Sequence, residues 1–214
     1  DFEANQSDCE GRLAAGGNAN VGTVEHYSIG AKLDPSFSGA KVVIGGDTLI
    51  NIEADSKKMV MGSYGTVSDQ IRQYMDNDLC QVYEGELFNF DEEFEKLKDK
   101  SKMLAEADEN ARLEIDPNFN GGWNVYGEDE VLNVLNLDAE ALAKFNGDYI
   151  QLDVHIPDGS YLVINVAGDD VKMPTTNVKI YDLDGSLLAQ STENMPVLYN
   201  LYEAESFNYS GSIQ

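Results

Sequence analysis

The chain has 214 residues, 42% hydrophobic and 25% charged, which is material for a folded core rather than a disordered acidic tail. Its 39 Asp and Glu against 14 Lys and Arg leave a formal net charge of −25, which repels phosphate backbones and anionic lipid surfaces, so nucleic acid is excluded as an expected partner. No run approaches the roughly 18 apolar residues of a transmembrane helix, so direct membrane insertion is not expected either. The sequence opens without a start methionine or basic leader and closes without a sorting tail. It reads as a mature or excised piece whose signal peptide and anchor lie elsewhere.

Residues 11–65 are Gly-rich and carry short apolar runs: Leu13-Ala14-Ala15, Val42-Val43-Ile44 and Met59-Val60-Met61. A three-residue apolar run followed by Gly-Gly and a small polar residue reads as a strand meeting a tight turn. Gly16-Gly17 and Gly45-Gly46 stand 29 residues apart, with a looser third copy at Gly62, a spacing compatible with the coils of a solenoid. No GxGxxG or GK[ST] follows either pair, so a nucleotide loop is not expected. Cys9 and Cys80 are too few for a disulfide scaffold or a structural zinc site. Paired, they would close a loop of about 70 residues and stabilise the fold by roughly 4 kcal/mol; unpaired, they would be two buried thiols.

From Asn89 the period changes. Phe90, Phe94, Leu97, Ser101 and Leu104 share one helical face, and a helix is expected from about Phe90 to Ala107, laid against a sheet. Asn89 with Glu92 fits an N-cap and its box partner, Asp91 to Glu93 crowd the positive end of the dipole, and Lys98, Lys100 and Lys102 lie towards the other. A loop is expected through Asp116-Pro117 and Gly121-Gly122-Trp123. Strands then follow at Glu130–Leu137, Tyr149–Ile156, Tyr161–Val166, Val178–Asp182, Ser186–Ala189, Val197–Leu201 and Ser206–Tyr209, with a short helix over Asp138–Lys144. Pro157–Ser160 and Asp182–Ser186 read as hairpin-type turns.

Little in this pattern points to catalysis. His26 and His155 lie in different strand-like segments, and His155 alternates with apolar neighbours, so it is expected to face solvent. Calcium candidates are Asp182 with Asp184 and Asp169 with Asp170, each pair beside a glycine, but two carboxylates fall short of the six to eight oxygens calcium takes, and turn chemistry accounts for them better. Trp123 and Tyr126, with Tyr199, Tyr202 and Tyr209 later, are the aromatics available for a ligand surface.

Several segments resemble the choice-of-anchor A domain of bacterial cell-surface proteins, some of them collagen-binding: Ser7–Ala19, Tyr27–Gly30, Val42–Gly46, Ser101–Ala105, Val163–Gly168 and Leu198–Ala204. Leu201-Tyr202 departs from the family's usual Phe-Pro, and a strand at each end is read as missing. The resemblance implies a mainly β, β-solenoid-like single domain over 1–214, related in shape to the solenoids of ice-binding proteins. Within it lie a Gly-rich solenoid part (1–88), a lateral helix (89–108) and a strand-rich part (120–214). It further implies a non-catalytic extracellular adhesin, anchored at the cell surface, that binds a protein or glycan and needs no cofactor. A structural stalk or assembly subunit that self-associates through its strand edges is the alternative. A carbohydrate-active enzyme and ice binding rank below both, the six Thr forming no regular ladder.

Overall fold

The structure, a computed structural model, describes residues 1–3, 11–20, 27–29, 42–44, 52–54, 59–63, 80–83, 89–118, 121–143, 149–190 and 195–210. The chain divides into two compact units, Asp1–Glu95 and Lys96–Gln214. Among the described residues it is mainly β, with mixed sheets and two helices.

The first unit holds β1 (Phe2–Glu3), β2 (Leu13–Ala15), β3 (Ala19–Asn20), β4 (Tyr27–Ile29), β5 (Val42–Ile44), β6 (Ile52–Ala54), β7 (Met59–Ser63) and β8 (Cys80–Tyr83). The apolar runs read from the sequence become neighbours in one parallel sheet ordered β2-β5-β7-β8. Leu13 pairs with Val42, so the 29-residue spacing of the Gly-Gly pairs is the register of the first two strands. Parallel neighbours need a return connection of a dozen or more residues, which that spacing supplies. Leu13 and Ala15 are buried and Ala14 exposed, the alternation of a strand with one face in a core. Cys9 and His26 lie outside the described residues, and the pairing of Cys9 with Cys80 with them.

The helix α1 spans Phe90–Ala105 and begins as its sequence dictates: the Glu92 amide donates to Asn89 Oδ1 at 3.3 Å, and Asp91, Glu92 and Glu93 fill the first turn. None of its side chains is buried, and Leu97 is 58% exposed, so the expected apolar packing of the stripe is not its main attachment. Hydrogen bonds replace it at the C-terminal turns, as described below.

The second unit continues with β9 (Ala111–Ile115), β10 (Gly122–Gly127), β11 (Leu132–Asp138), α2 (Ala139–Ala143), β12 (Tyr149–His155), β13 (Tyr161–Ala167), β14 (Asp170–Tyr181), β15 (Leu187–Gln190), β16 (Val197–Asn200) and β17 (Ser206–Ser210). One sheet runs β15-β14-β12-β10-β9 with β17 also on β14; another is β11-β13-β16. Pairing is parallel except at β9 with β10 and β14 with β15. Leu152, Val154 and Ile180 from the first sheet meet Leu135, Leu162, Ile164 and Val166 from the second in a continuous core. Burial of each such side chain contributes about 1.5–3 kcal/mol.

Three sequence expectations change here. The segment expected as a loop through Gly121-Gly122-Trp123 contains β10, where Trp123 and Val125 point inward and Asn124 and Tyr126 outward; two glycines at its start hide a period-2 pattern only six residues long. Tyr149–Ile156 and Tyr161–Val166 form strands, yet Pro157–Ser160 is not a hairpin, because β12 and β13 belong to different sheets. Val178–Asp182 is only the second half of β14. That strand changes partner from β17 to β12 between Pro174 and Thr175, and proline, having no N–H to give, suits that switch. Asp182–Ser186 is a true hairpin turn, with Gly185 at φ 87°.

Buried polar groups fix the second sheet to α1. Asn136, Asn165 and Asn200 fall in register on β11, β13 and β16. Asn200 Nδ2 donates to Asn165 Oδ1 at 2.8 Å, and Asn165 Nδ2 donates to Asn136 Oδ1 at 2.9 Å. From the helix, the Leu104 carbonyl accepts from Asn165 Nδ2 at 2.9 Å, the Ser101 carbonyl accepts from Asn200 Nδ2 at 2.8 Å, and Ser101 Oγ donates to Asn200 Oδ1 at 2.6 Å. The amide ladder thus adds side-chain donors to carbonyls in the last two turns of α1 and ties that end of the helix to the sheet.

Candidate functional site

The face of the β14-β12-β10-β9 sheet turned away from the core presents its side chains in rows that cross the strands. Strand spacing of about 4.7–4.9 Å puts register partners in van der Waals contact, so flat side chains stack. Tyr126 pairs with His155 and His155 with Tyr181. Their rings lie 4.7 Å apart at 12° and 5.1 Å apart at 16°. Arg112, register partner of Tyr126 on β9, closes the row with its guanidinium 4.2 Å from the Tyr126 ring centre and pairs with Glu114.

Beside this row runs a second, Glu114, Asn124, Asp153, Lys179 and Gln190, and beside that Gly122, Gln151 and Asn177. The second and third are tied together: Gln151 Nε2 donates to Asp153 Oδ1 at 2.8 Å, and Asn177 Nδ2 donates to Gln151 Oε1 at 2.7 Å. Two cations, Arg112 and Lys179, face two carboxylates, Glu114 and Asp153, so the formal charges of these rows cancel on a chain whose net charge is −25. Because the rings stack on one another, they offer their edges outward: two phenol hydroxyls with an imidazole between them.

The sequence singled out Trp123 with Tyr126 as an exposed aromatic pair, and the structure separates them. Tyr126 is on the ladder; Trp123 is 5% exposed and belongs to the core with Val125 and Leu152. Residues three apart on a strand point to opposite faces, which is why a shared surface was not available to them. Tyr199 is partly buried against the core, and that burial pushes its hydroxyl well above the usual phenol range. Tyr202 is raised as well, first by desolvation and then by the charges of Glu203 and Asp138. Tyr209 packs beside Phe207 at 6.3 Å on β17.

Two of the carboxylates considered for calcium, those of Asp182 and Asp170, have other partners. Asp182 Oδ1 accepts from the amides of Asp184 and Ser186 at 3.0 and 2.7 Å, closing its own turn. Asp170 accepts from Ser206 Oγ at 2.6 Å and pairs with Lys172 at 3.0 Å, contacts that hold its carboxyl below the usual range. The Asp169 carbonyl accepts from the amides of Glu205 and Ser206. Among the described residues no group of three or more His, Cys, Asp or Glu converges as a metal site.

His155 and Tyr181 were not paired with Tyr126 by sequence reasoning. The outward parity of His155 was legible, but only the registers join three strands into a row.

No characterised protein and no solved structure matches the chain in the comparisons made. No described helix is long and apolar enough to cross a membrane. A family profile described as "Putative Ice-binding-like adhesive domain" matches residues 1–214, an adhesive role that points to an extracellular surface location. With its full length covered by that profile, the chain belongs to this ice-binding-like adhesive domain family.

Proposed function

We propose that the chain is a non-catalytic, cell-surface adhesin module that contacts a protein or glycan through the outward face built around Tyr126, His155 and Tyr181. The observation that carries this reading is the aromatic ladder itself: three in-register stacked rings on a sheet face with balanced charge, an arrangement held by its own contacts that loses little entropy when a ligand docks. Family membership supports the adhesive role. The segments quoted for the choice-of-anchor A resemblance, Val163–Gly168 among them, support placing the module within that group, collagen binding included.

A β-solenoid architecture forms part of the proposal. Its support is the repeated parallel pairing of strands that are neighbours in a sheet but not consecutive in the chain, Leu13 with Val42, Trp123 with Leu152, Leu152 with Val178, and Leu162 with Val197. No cofactor is invoked, since Asp170 and Asp182 already have turn and ion-pair partners.

The test is binding of the purified chain to an array of matrix proteins and glycans, repeated with Tyr126→Ala and Tyr181→Ala. A saturable signal that both substitutions weaken upholds the reading. Binding indifferent to both would move the contact surface elsewhere, and silence across the array would favour a stalk or assembly subunit.

A further inference from the structure

We infer that the ligand of this face is a neutral, linear, equatorially linked polysaccharide of the β-1,4-gluco type, lying across the strands with one sugar per strand. The inference rests on the adhesive reading above and narrows it to one ligand chemistry.

Three observations on the face lead there. The first is its repeat. Ring centres succeed one another at 4.7 and 5.1 Å. An extended β-1,4 chain advances by close to one strand spacing per sugar, so successive sugars meet successive register partners. Compact or helical α-linked glycans do not keep that step.

The second is the orientation of the rings. Tyr126, His155 and Tyr181 stack on each other, and Arg112 covers the outer face of Tyr126. Both faces of Tyr126 and of His155 and one face of Tyr181 are therefore occupied, and a ligand lying over the row meets hydroxyl and imidazole edges. The neighbouring rows add the amides of Asn124 and Gln151 and the carboxylate of Asp153. The face thus carries both donors and acceptors, the complement of the hydroxyls along the edge of an extended glycan.

The third is charge. Arg112 and Lys179 are balanced by Glu114 and Asp153 on the face, while the chain as a whole carries −25. An anionic polymer finds no net positive patch to offset repulsion from the rest of the molecule. A neutral one meets no penalty.

Cello- and chito-oligosaccharides of two to six sugars, titrated calorimetrically against the whole chain beside isomalto-oligosaccharides of equal length, test the inference. Affinity for at least one β-1,4 series should rise from two to about four sugars, as the row from Arg112 to Tyr181 fills, and then level off. The isomalto series should not bind. Tyr126→Phe and Tyr181→Phe keep the stack and remove only the hydroxyls, and each should weaken the hexamer roughly three- to tenfold, the range of one lost hydrogen bond.

Absence of binding by both β-1,4 series, affinity independent of length, or Phe variants that bind as tightly as the parent would overturn it. If both oligosaccharide series fail while a protein ligand binds in a Tyr126-dependent way, the adhesive reading stands and the glycan inference alone falls.

Discussion

Replacing Asn165 by alanine tests how α1 is held to its sheet. Asn165 is 1% exposed and its amide makes three bonds: to the Leu104 carbonyl, to Asn136 Oδ1 and from Asn200 Nδ2. The partners left behind are not orphaned. The Leu104 carbonyl still accepts from the Ala107 amide at 3.3 Å, and Asn200 Nδ2 still reaches the Ser101 carbonyl. The loss is therefore close to three net hydrogen bonds at about 1 kcal/mol each, or about 3 kcal/mol, rather than the larger penalty of groups stranded without partners. At roughly 2–4 °C per kcal/mol for a chain of this size, the melting temperature should fall by roughly 6–12 °C. Urea unfolding followed by far-UV circular dichroism measures the first quantity, and hydrogen exchange of the Ser101 to Ala105 amides reports whether the helix end loosens. Asn136→Ala is the control: its side chain sits at the exposed end of the ladder, where water replaces the bond, and it should cost less than about 1 kcal/mol. An Asn165→Ala variant within 0.5 kcal/mol of the parent, or no worse than Asn136→Ala, would refute the argument that the ladder anchors the helix.

Other consequences are as direct. Trp123→Ala should cost about 3–5 kcal/mol by urea unfolding because the indole is core, whereas Tyr126→Ala, which gives up a ring stack and a cation–π contact, should cost only about 1–2 kcal/mol. Gly127→Ala should be destabilising and poorly expressed, since the new Cβ would clash with Asn133 Oδ1, itself fixed by the Asp129 amide at 3.0 Å; a melting temperature equal to the parent's would contradict the packing. The amides of Leu132 and then Val131 hold the Asp129 carboxyl below its ordinary 3.8, so the ionised form stabilises the fold above that value and the contribution disappears as pH falls through the lowered one. Asp129→Asn should accordingly melt below the parent at pH 7, with the gap closing in acid; a gap constant with pH would remove the charge from the explanation. Millimolar calcium in place of EDTA should leave the melting temperature unchanged, because Asp170 and Asp182 are already engaged; a rise of several degrees would reinstate them as ligands.

What the sequence made legible was what repeats over a short range. Gly-Gly punctuation located β2 and β5 and even their register, alternation at Ile150, Leu152 and Val154 fixed the inner face of β12, and Asn89 announced the start of α1. What stayed hidden depends on residues far apart in the chain. Asn165 sits inside the apolar run Val163–Val166, and nothing local says that it meets Asn136 and Asn200. Tyr126, His155 and Tyr181 are ordinary outward residues until two parallel registers stack them. Trp123 looked like an interface residue from its type alone, while its parity with Val125, once β10 is recognised, puts it in the core.

The two ladders are linked through the chain. A strand slipped by one residue turns every side chain to the opposite face, so a buried amide row is satisfied in one register only. Any other alignment of β13 against β16 would break the bond from Asn200 Nδ2 and leave the buried Asn165 Oδ1 without that donor, a penalty of about 1–3 kcal/mol. The connection from β12 to β13 is the tight turn Pro157–Ser160, closed by the Ser160 amide and hydroxyl on the Pro157 carbonyl at 3.1 and 2.7 Å. With so little slack, the alignment that satisfies Asn165 on β13 also sets where His155 ends on β12, between Tyr126 and Tyr181. The amide row inside the second unit therefore does for the aromatic row outside what no contact within that row can do: stacking tolerates sliding, and buried amides do not.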